Sequence, residues 1–548
     1  MQRDAFEAPA WLRIRRQWPL LLAVAILVAS VTAAVRAVTA ATGGRFIYAL
    51  DDAYIHMAVA RNLAQHAVWG CTPFRFSSAS SSPLWTIVVA LAFLVTGVHD
   101  ITPLVLNVVF GALTLGAANA VLRRLDAPAL LRAATLVALV LVVPLPAMAL
   151  LGMEHLLHLG LTIAFGGAAV LVLTDRTADP SVEGRHTWLI GLLAALLAAS
   201  RYEGLFLVAT VCAMCVALGQ WRRGVIVGLA AAAPLVAFGV VSVANGSFLL
   251  PNSLMLKGGS DGASTWAALA RPIEAADLAV LATDPPLFWL AVSGAAVAVV
   301  AAAHARSLRR VSVLLPLMLT LMVMLHVHFT LSSTFWVYRY DAYLLGFGVF
   351  VAAAACCEAR PLACAGPRWA PGVLAAVMML GSVSVLADVR EGISAAREVE
   401  SASLTYREHY QAARFVRDRR PGETVMVNDA GAMAYFSGAN MLDIFGLCNV
   451  EPVKLRRALG AYGWVDVAAW TLPYRPSLAV VQMSWGWVVS RIPHDWLEVA
   501  EVELQPEGRK LGFFVPSHDP DAAQKLRTDV LHFYQPLAGP LGYRVRGF

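Results

Sequence analysis

Charge is what this sequence has least of. Only 14% of its 548 residues are Asp, Glu, Lys or Arg, where a soluble chain averages about 25%. That scarcity excludes a wholly soluble protein. With 59% hydrophobic residues, it places most of the chain in lipid. Cysteine is also sparse: the seven are scattered, with no zinc spacing and no disulfide framework expected. Cys212 and Cys215 form a C-x-x-C inside an apolar run and read as two small hydrophobes. Cys356 and Cys357 end another run, and Cys364 follows it. There is no G-x-G-x-x-G, which argues against nucleotide binding. The net charge of +6 needs no nucleic-acid partner, because the basic residues sit in short loops and in a mixed-charge tail.

What is present is uneven. Residues 18–388 are a string of apolar runs, and 389–548 have the composition of a soluble domain. The spacing predicts about eleven spans: 18–41, 101–122, 133–151, 155–174, 187–200, 203–219, 224–244, 286–303, 311–331, 341–357 and 371–388. The first is too long for a signal-peptide core and reads as a retained helix. Segment 84–98 is a further apolar run, short of the ~20 residues a crossing needs.

Charge decides whether 84–98 crosses. Arg13, Arg15 and Arg16 put the N-terminus in the cytoplasm. If 84–98 stays on the outer face, then Arg123, Arg124, Arg132, Arg176, Arg185, Arg222, Arg223, Arg306, Arg309, Arg310, Arg360 and Arg368 all fall inside. If it crosses, all of them move outside. The first reading places the 42–83 loop, the turn at Gly152–His155, the 245–285 loop and the 389–548 domain together on the outer face.

That shared face carries the candidate chemistry. Asp51 and Asp52 follow the first span directly, at the start of a segment (51–66) that reads as an amphipathic helix in the interface. One of them is expected to act as a general base on an acceptor hydroxyl; the other reading for either is a helix N-cap. A phosphate leaving group needs cations, and Lys257, Arg339 and Arg201 are the candidates. Tyr54, Glu154, His155 and Tyr338 are expected at the substrate. Glu154 and His155, with His326 and His328, are the groups that could approach a metal, but no spacing is diagnostic. No cofactor is expected.

Together these residues form a pattern. Asp51-Asp52-Ala53-Tyr54-Ile55, Ala60-Arg61-Asn62-Leu63 and Ser82-Pro83-Leu84-Trp85 resemble the first periplasmic loop of the GT-C glycosyltransferases. The group that contains the mycobacterial terminal β-arabinofuranosyltransferase is the nearest in pattern. Gly152-Met153-Glu154 resembles that group's Gly-Met-Glu turn, and Pro251-Asn252-Ser253 with Lys257 its Pro-Asn-Thr…Lys loop. Asn428-Asp429-Ala430-Gly431, Tyr435–Gly438 and Leu442–Leu447 resemble the start of its extracytoplasmic tail. The resemblance implies a multi-pass GT-C enzyme of the bacterial cytoplasmic membrane with its C-terminal domain outside. It implies inverting transfer of arabinofuranose or a related sugar from a polyprenyl-phosphate donor to an envelope glycan or glycolipid. The run Ser77–Ser82 departs from the group's Gly-rich stretch and leaves the sugar open. A transporter or flippase of lipid-linked sugars is the alternative. It would need mid-membrane polar groups and often an internal repeat, and neither is apparent.

In the tail, Thr424–Val427, Leu442–Phe445 and Leu478–Met483 read as strands, with Trp496–Leu504 and Leu511–Val515 as a hairpin. A short helix is expected toward Phe436. The fold expected is a small α/β domain that covers the site, with Trp464, Trp470, Trp485 and Trp487 as sugar-stacking faces or core.

Overall fold

The structure is a computed structural model that describes residues 10–174, 180–257, 339–340, 342–362, 395–516 and 520–548. The expected spans 286–303, 311–331 and 371–388 lie outside these residues, as do Tyr338, His326, His328, Cys364 and the 388/389 boundary.

The first half is helical: α1 (Ala10–Ala41), α2 (Asp52–His66), α3 (Pro83–Thr96), α4 (Thr102–Arg124), α5 (Ala129–Val142), α6 (Leu145–Leu150), α7 (His155–Thr174), α8 (Pro180–Ser200), α9 (Gly204–Ala217), α10 (Trp221–Ala244) and α11 (Asn252–Lys257). A further helix runs Ala342–Leu362. Among the described residues, four stretches are long and apolar enough to cross a membrane: Gln17–Ala41, Thr102–Arg124, His155–Leu173 and Trp221–Ala244. Leu21 and Val28 on α1, Val109 and Leu113 on α4, and Leu229 and Val240 on α10 are exposed apolar side chains of the kind a bilayer covers. The opposite faces close a common core in which Leu27, Leu115, Leu156 and Phe347 are buried. α3 has 14 residues, about 21 Å at 1.5 Å per residue, against ~30 Å of hydrocarbon. α5 and α9 are equally long, so length alone does not set α3 apart.

α2 is more enclosed by protein than its amphipathic pattern suggests. Residues Ala53 to Ala60 and Asn62 are all buried, because α2 packs between α3 and a helix of the tail, Gly431–Phe436. Its polar residues are met from outside the helix. Asn62 donates to the Gly70 carbonyl at 2.8 Å, and Arg61 reaches the carbonyls of Tyr435 and Ala434 at the C-terminal end of the tail helix.

The tail is a mixed α/β domain on one six-stranded sheet: β1 (Thr424–Val427), β2 (Asn440–Asp443), β3 (Leu478–Gln482), β4 (Trp496–Leu504), β5 (Arg509–Pro516) and β6 (Tyr543–Gly547). The order is β2-β1-β3-β5-β4-β6. β1 pairs with β2 and β3 in parallel, and the remaining pairs are antiparallel. Alternate residues enter opposite layers, as a period of two requires. Val425, Val427 and Val480 face Phe415 and Tyr534; Met426, Ala479 and Val481 face Tyr462 and Val467. β2 begins two residues before the expected strand, and β6 with the helix Pro520–Leu541 completes an edge the pattern did not suggest. The four tryptophans are partly buried and largely spent on packing: Trp485 and Trp487 lie 5.5 and 5.6 Å from the Phe445 ring, and Trp464 stacks on His494.

The sequence offered no disulfide framework, yet Cys71 and Cys448 are bonded. They lie 377 residues apart, with Cα atoms separated by 5.8 Å. Spacing along the chain cannot show such a pair, because only the docking of the tail on the first loop brings the two together. Cys215 is buried among apolar neighbours, as its run suggests.

Candidate functional site

The site lies where the first loop, the Gly152–Glu154 turn and the tail meet. Gly152 shapes this junction. It adopts φ +68°, and a Cβ there would come within 2.6 Å of the Tyr48 ring, so the turn is open to glycine alone. Asn252 ties in a fourth segment: its amide donates to the Ser78 carbonyl at 2.8 Å, and its side chain to the Leu447 carbonyl at 3.1 Å. Segments that were similar to one family only as an ordered series in sequence thus touch in space. α11 brings Lys257 to this region, but its side chain lies outside the described atoms.

The two aspartates point to different partners. Asp51 precedes α2 but makes no side-chain cap to it. Its carboxylate instead accepts the backbone N–H groups of Gly431 and Ala432 at 2.6 and 2.7 Å. Its side chain is only 10% exposed. Asp52 is 38% exposed and pairs with the Arg339 guanidinium at 2.8 Å. Arg339 is itself buried. It also donates to the Tyr340 hydroxyl at 3.1 Å and approaches the Met153 sulfur.

Below Asp52 lies a buried polar chain. His56, one turn along α2, has Nε2 3.6 Å from Glu154, and Nδ1 3.2 Å from the Ser80 hydroxyl. Burial lowers the His56 pKa, against the opposing pull of Glu154 and Asp52, so a neutral ring bridges the serine run and the Gly-Met-Glu turn. Glu154 accepts from Arg201 at 2.6 Å, and Arg201 also pairs with Glu203 at 2.7 Å. Arg201 is thus paired with two carboxylates. His155 is buried beside this chain. Tyr54 is also buried, its hydroxyl accepting the Tyr48 amide at 3.0 Å and its ring packed on Phe436. The structure thus brings the partly exposed Asp52 together with the buried Arg339, and places Tyr54, Glu154, His155 and Arg201 in the buried layer beside them.

Several residues of this junction carried no signal of their own. Asp100 accepts from Arg45 at 2.5 Å and from the Tyr435 hydroxyl at 3.1 Å, tying the start of the first loop to the tail. His409 lies near Asp429 (3.4 Å), Glu408 (3.7 Å) and Asp51 (3.9 Å). Burial works against the charged imidazole, but Asp429, Asp51 and Glu408 outweigh it and push His409 up to about 9. Burial, with Asp51 and Glu408 nearby, raises the Asp429 carboxyl well above the usual range. Among the described residues, Asp51, His409 and Asp429 form a group whose geometry could hold a metal.

The pattern of a domain of unknown function, DUF8728, matches residues 397–523, which include His409, Asp429, Gly431 and Cys448. Among curated proteins none matches the sequence. Two crystal structures of ArnT from Cupriavidus metallidurans resemble most of the chain. With ArnT bound to undecaprenyl phosphate, the TM-score is 0.52 at 14% identity, covering 91% of this chain and 99% of ArnT. In the apo state it is 0.51 at 15% identity with the same coverage. The Archaeoglobus fulgidus oligosaccharyltransferase in the apo form gives 0.50 at 10% identity, covering 95% of this chain and 78% of that one. The chain shares the fold of these structures, a helical part with several apolar spans followed by a C-terminal mixed α/β domain.

Proposed function

We propose that this chain is an inverting glycosyltransferase. In this reading it moves a sugar from a polyprenyl-phosphate donor to an envelope glycan or glycolipid on the outer face of the bacterial cytoplasmic membrane. One observation carries the reading: on a fold shared with ArnT, the accessible member of the acidic pair, Asp52, is held by Arg339 at the membrane part's junction with the tail. A carboxylate so placed can take the proton of an acceptor hydroxyl as its oxygen attacks the anomeric carbon. The bond from that carbon to the phosphate oxygen breaks, and the electron pair leaves with the lipid phosphate. Arg339, with Lys257, is assigned to stabilise that charge. Asp51 serves to seat the tail, and Arg201 with Glu154 holds the floor under His56.

The ordered motifs favour arabinofuranose or a related sugar. The serine run, whose Ser80 supports His56, is the feature most able to shift that preference. Purified protein incubated with a panel of polyprenyl-phosphate sugars and envelope acceptors tests the proposal. Transfer from at least one donor, lost in Asp52→Asn, is expected. Absence of transfer from every donor, or full activity in Asp52→Asn, would sink it.

A further inference from the structure

We propose a divalent-cation site of the zinc type at the seam between the first loop and the tail, with Asp51 Oδ1, His409 Nδ1 and Asp429 Oδ2 as ligands. These atoms lie within 4.8 Å of one another. The His409 nitrogen is 3.4 Å from Asp429 and 3.9 Å from Asp51. Both distances exceed a hydrogen bond, ~2.7–3.2 Å. The Asp429 separation is close to the edge of a tetrahedron about a zinc ion, about 3.3 Å for ligand bonds of ~2.0–2.1 Å, and the Asp51 separation is somewhat longer. Asp51 can serve while bonded to Ala432, because a carboxylate oxygen carries two acceptor sites. Imidazole with two carboxylates suits zinc better than magnesium or calcium, which prefer all-oxygen shells.

A second observation points the same way. Beside His409 and Asp429 is a cavity of about 20 Å³ lined by Glu408, Asn428 and Gln482, room for one water or a fourth ligand. Glu408 is fully buried, and its Oε1 has no partner among the described residues; the same holds for the Gln482 Oε1, at 2% exposure. Buried acceptors are costly to leave unmet, and both of these residues line the cavity. The local backbone also departs from the ordinary. His409 sits on a π-helical turn, Tyr406–Tyr410, a distortion that often marks a functional position. Asn428 pins the loop that carries Asp429 through reciprocal bonds to the Gln482 backbone, 2.9 and 3.1 Å. Asp51, Asp429 and Glu408 converge on His409, and Arg509 pairs with Glu408 from the other side. The ion would join the membrane part to the tail, and its existence does not depend on the transferase reading.

The test uses the full chain in detergent, stripped with a chelator and dialysed against zinc chloride, with metal measured by elemental analysis after desalting. Wild type is expected to retain one zinc per chain more than His409→Ala or Asp429→Asn, with His409→Cys restoring it. Equal metal in wild type and both variants overturns the site, as does no retained metal in wild type. That last result is the one expected if Asp51 and Asp429 simply share a proton. Should the variants fail to fold, cobalt-substituted wild type decides. A tetrahedral nitrogen and oxygen spectrum supports the site, and thiolate charge-transfer bands or a six-coordinate spectrum overturn it.

Discussion

The carboxylate of Asp51 lies 2.6 Å from the backbone amide of Gly431, 380 residues further along the chain. The next residue, Asp52, faces Arg339 instead. Two neighbouring acids thus face different partners, and asparagine substitutions should separate docking from the proposed chemistry. Asp52→Asn is expected to lower transfer by roughly 10²–10⁴-fold with little change in melting temperature. Asp51→Asn weakens two charge-assisted bonds and should cost about 1–3 kcal/mol of stability. Thermal unfolding and transfer rates measured on both variants check this; the same loss profile in each would refute the division.

Gly431 has no room for a side chain. A Cβ there would lie 2.0 Å from the Asp51 carbonyl oxygen and 2.5 Å from its carboxylate. Gly431→Ala should therefore push the tail off the first loop and destabilise the protein by about 1–3 kcal/mol. Gly486→Ala, where nothing lies within 4 Å, is the control and should be neutral. Limited proteolysis between the two parts would report the loosened docking.

The Cys71–Cys448 bond closes a loop of 377 residues in sequence. Its removal by Cys71→Ser should cost about 2–4 kcal/mol, and the double variant with Cys448→Ser should cost no more than the single. Disulfides persist in oxidising compartments, so alkylation of unreduced protein should leave these two thiols unmodified. Labelling of both in protein isolated without reductant would contradict the pairing.

Glu398 gives a pH dependence. It is 7% exposed, and burial raises its carboxyl from 4.5 to about 7. The folded state holds this proton more tightly than the unfolded chain. Stability from this group is therefore intact below about 4.5, declines as pH rises toward 7, and stays reduced above it. Glu398→Gln should raise stability at pH 8 by about 1–3 kcal/mol and leave it unchanged near pH 4. Denaturant unfolding at the two pH values measures the difference.

The sequence made the apolar helices and most of the tail legible, because both announce themselves by local period. Thr424–Val427 and Trp496–Leu504 match the observed strands, each packing alternate residues into two cores. Other features depend on partners hundreds of residues away. α2 looked amphipathic because Arg61 and Asn62 are polar, and no local rule says that Tyr435 and Gly70 carbonyls will bury them. The acidic pair was visible from its position alone, but the distinction between its members came from Gly431 and Arg339. His56 and His409 stood out in no motif; each acquires its setting only when Glu154 or Asp429 is brought beside it.

The bond from Asp51 to Gly431 also fixes an order of events in the life of the chain. Asp51 is made soon after helix α1, and its two amide partners are made 380 and 381 positions later. Until then α2 has no tail helix to cover it and its leading carboxylate has no donors. A nascent or truncated chain therefore presents an unfinished junction, and any activity that needs this junction can begin only after the tail has been synthesised and seated.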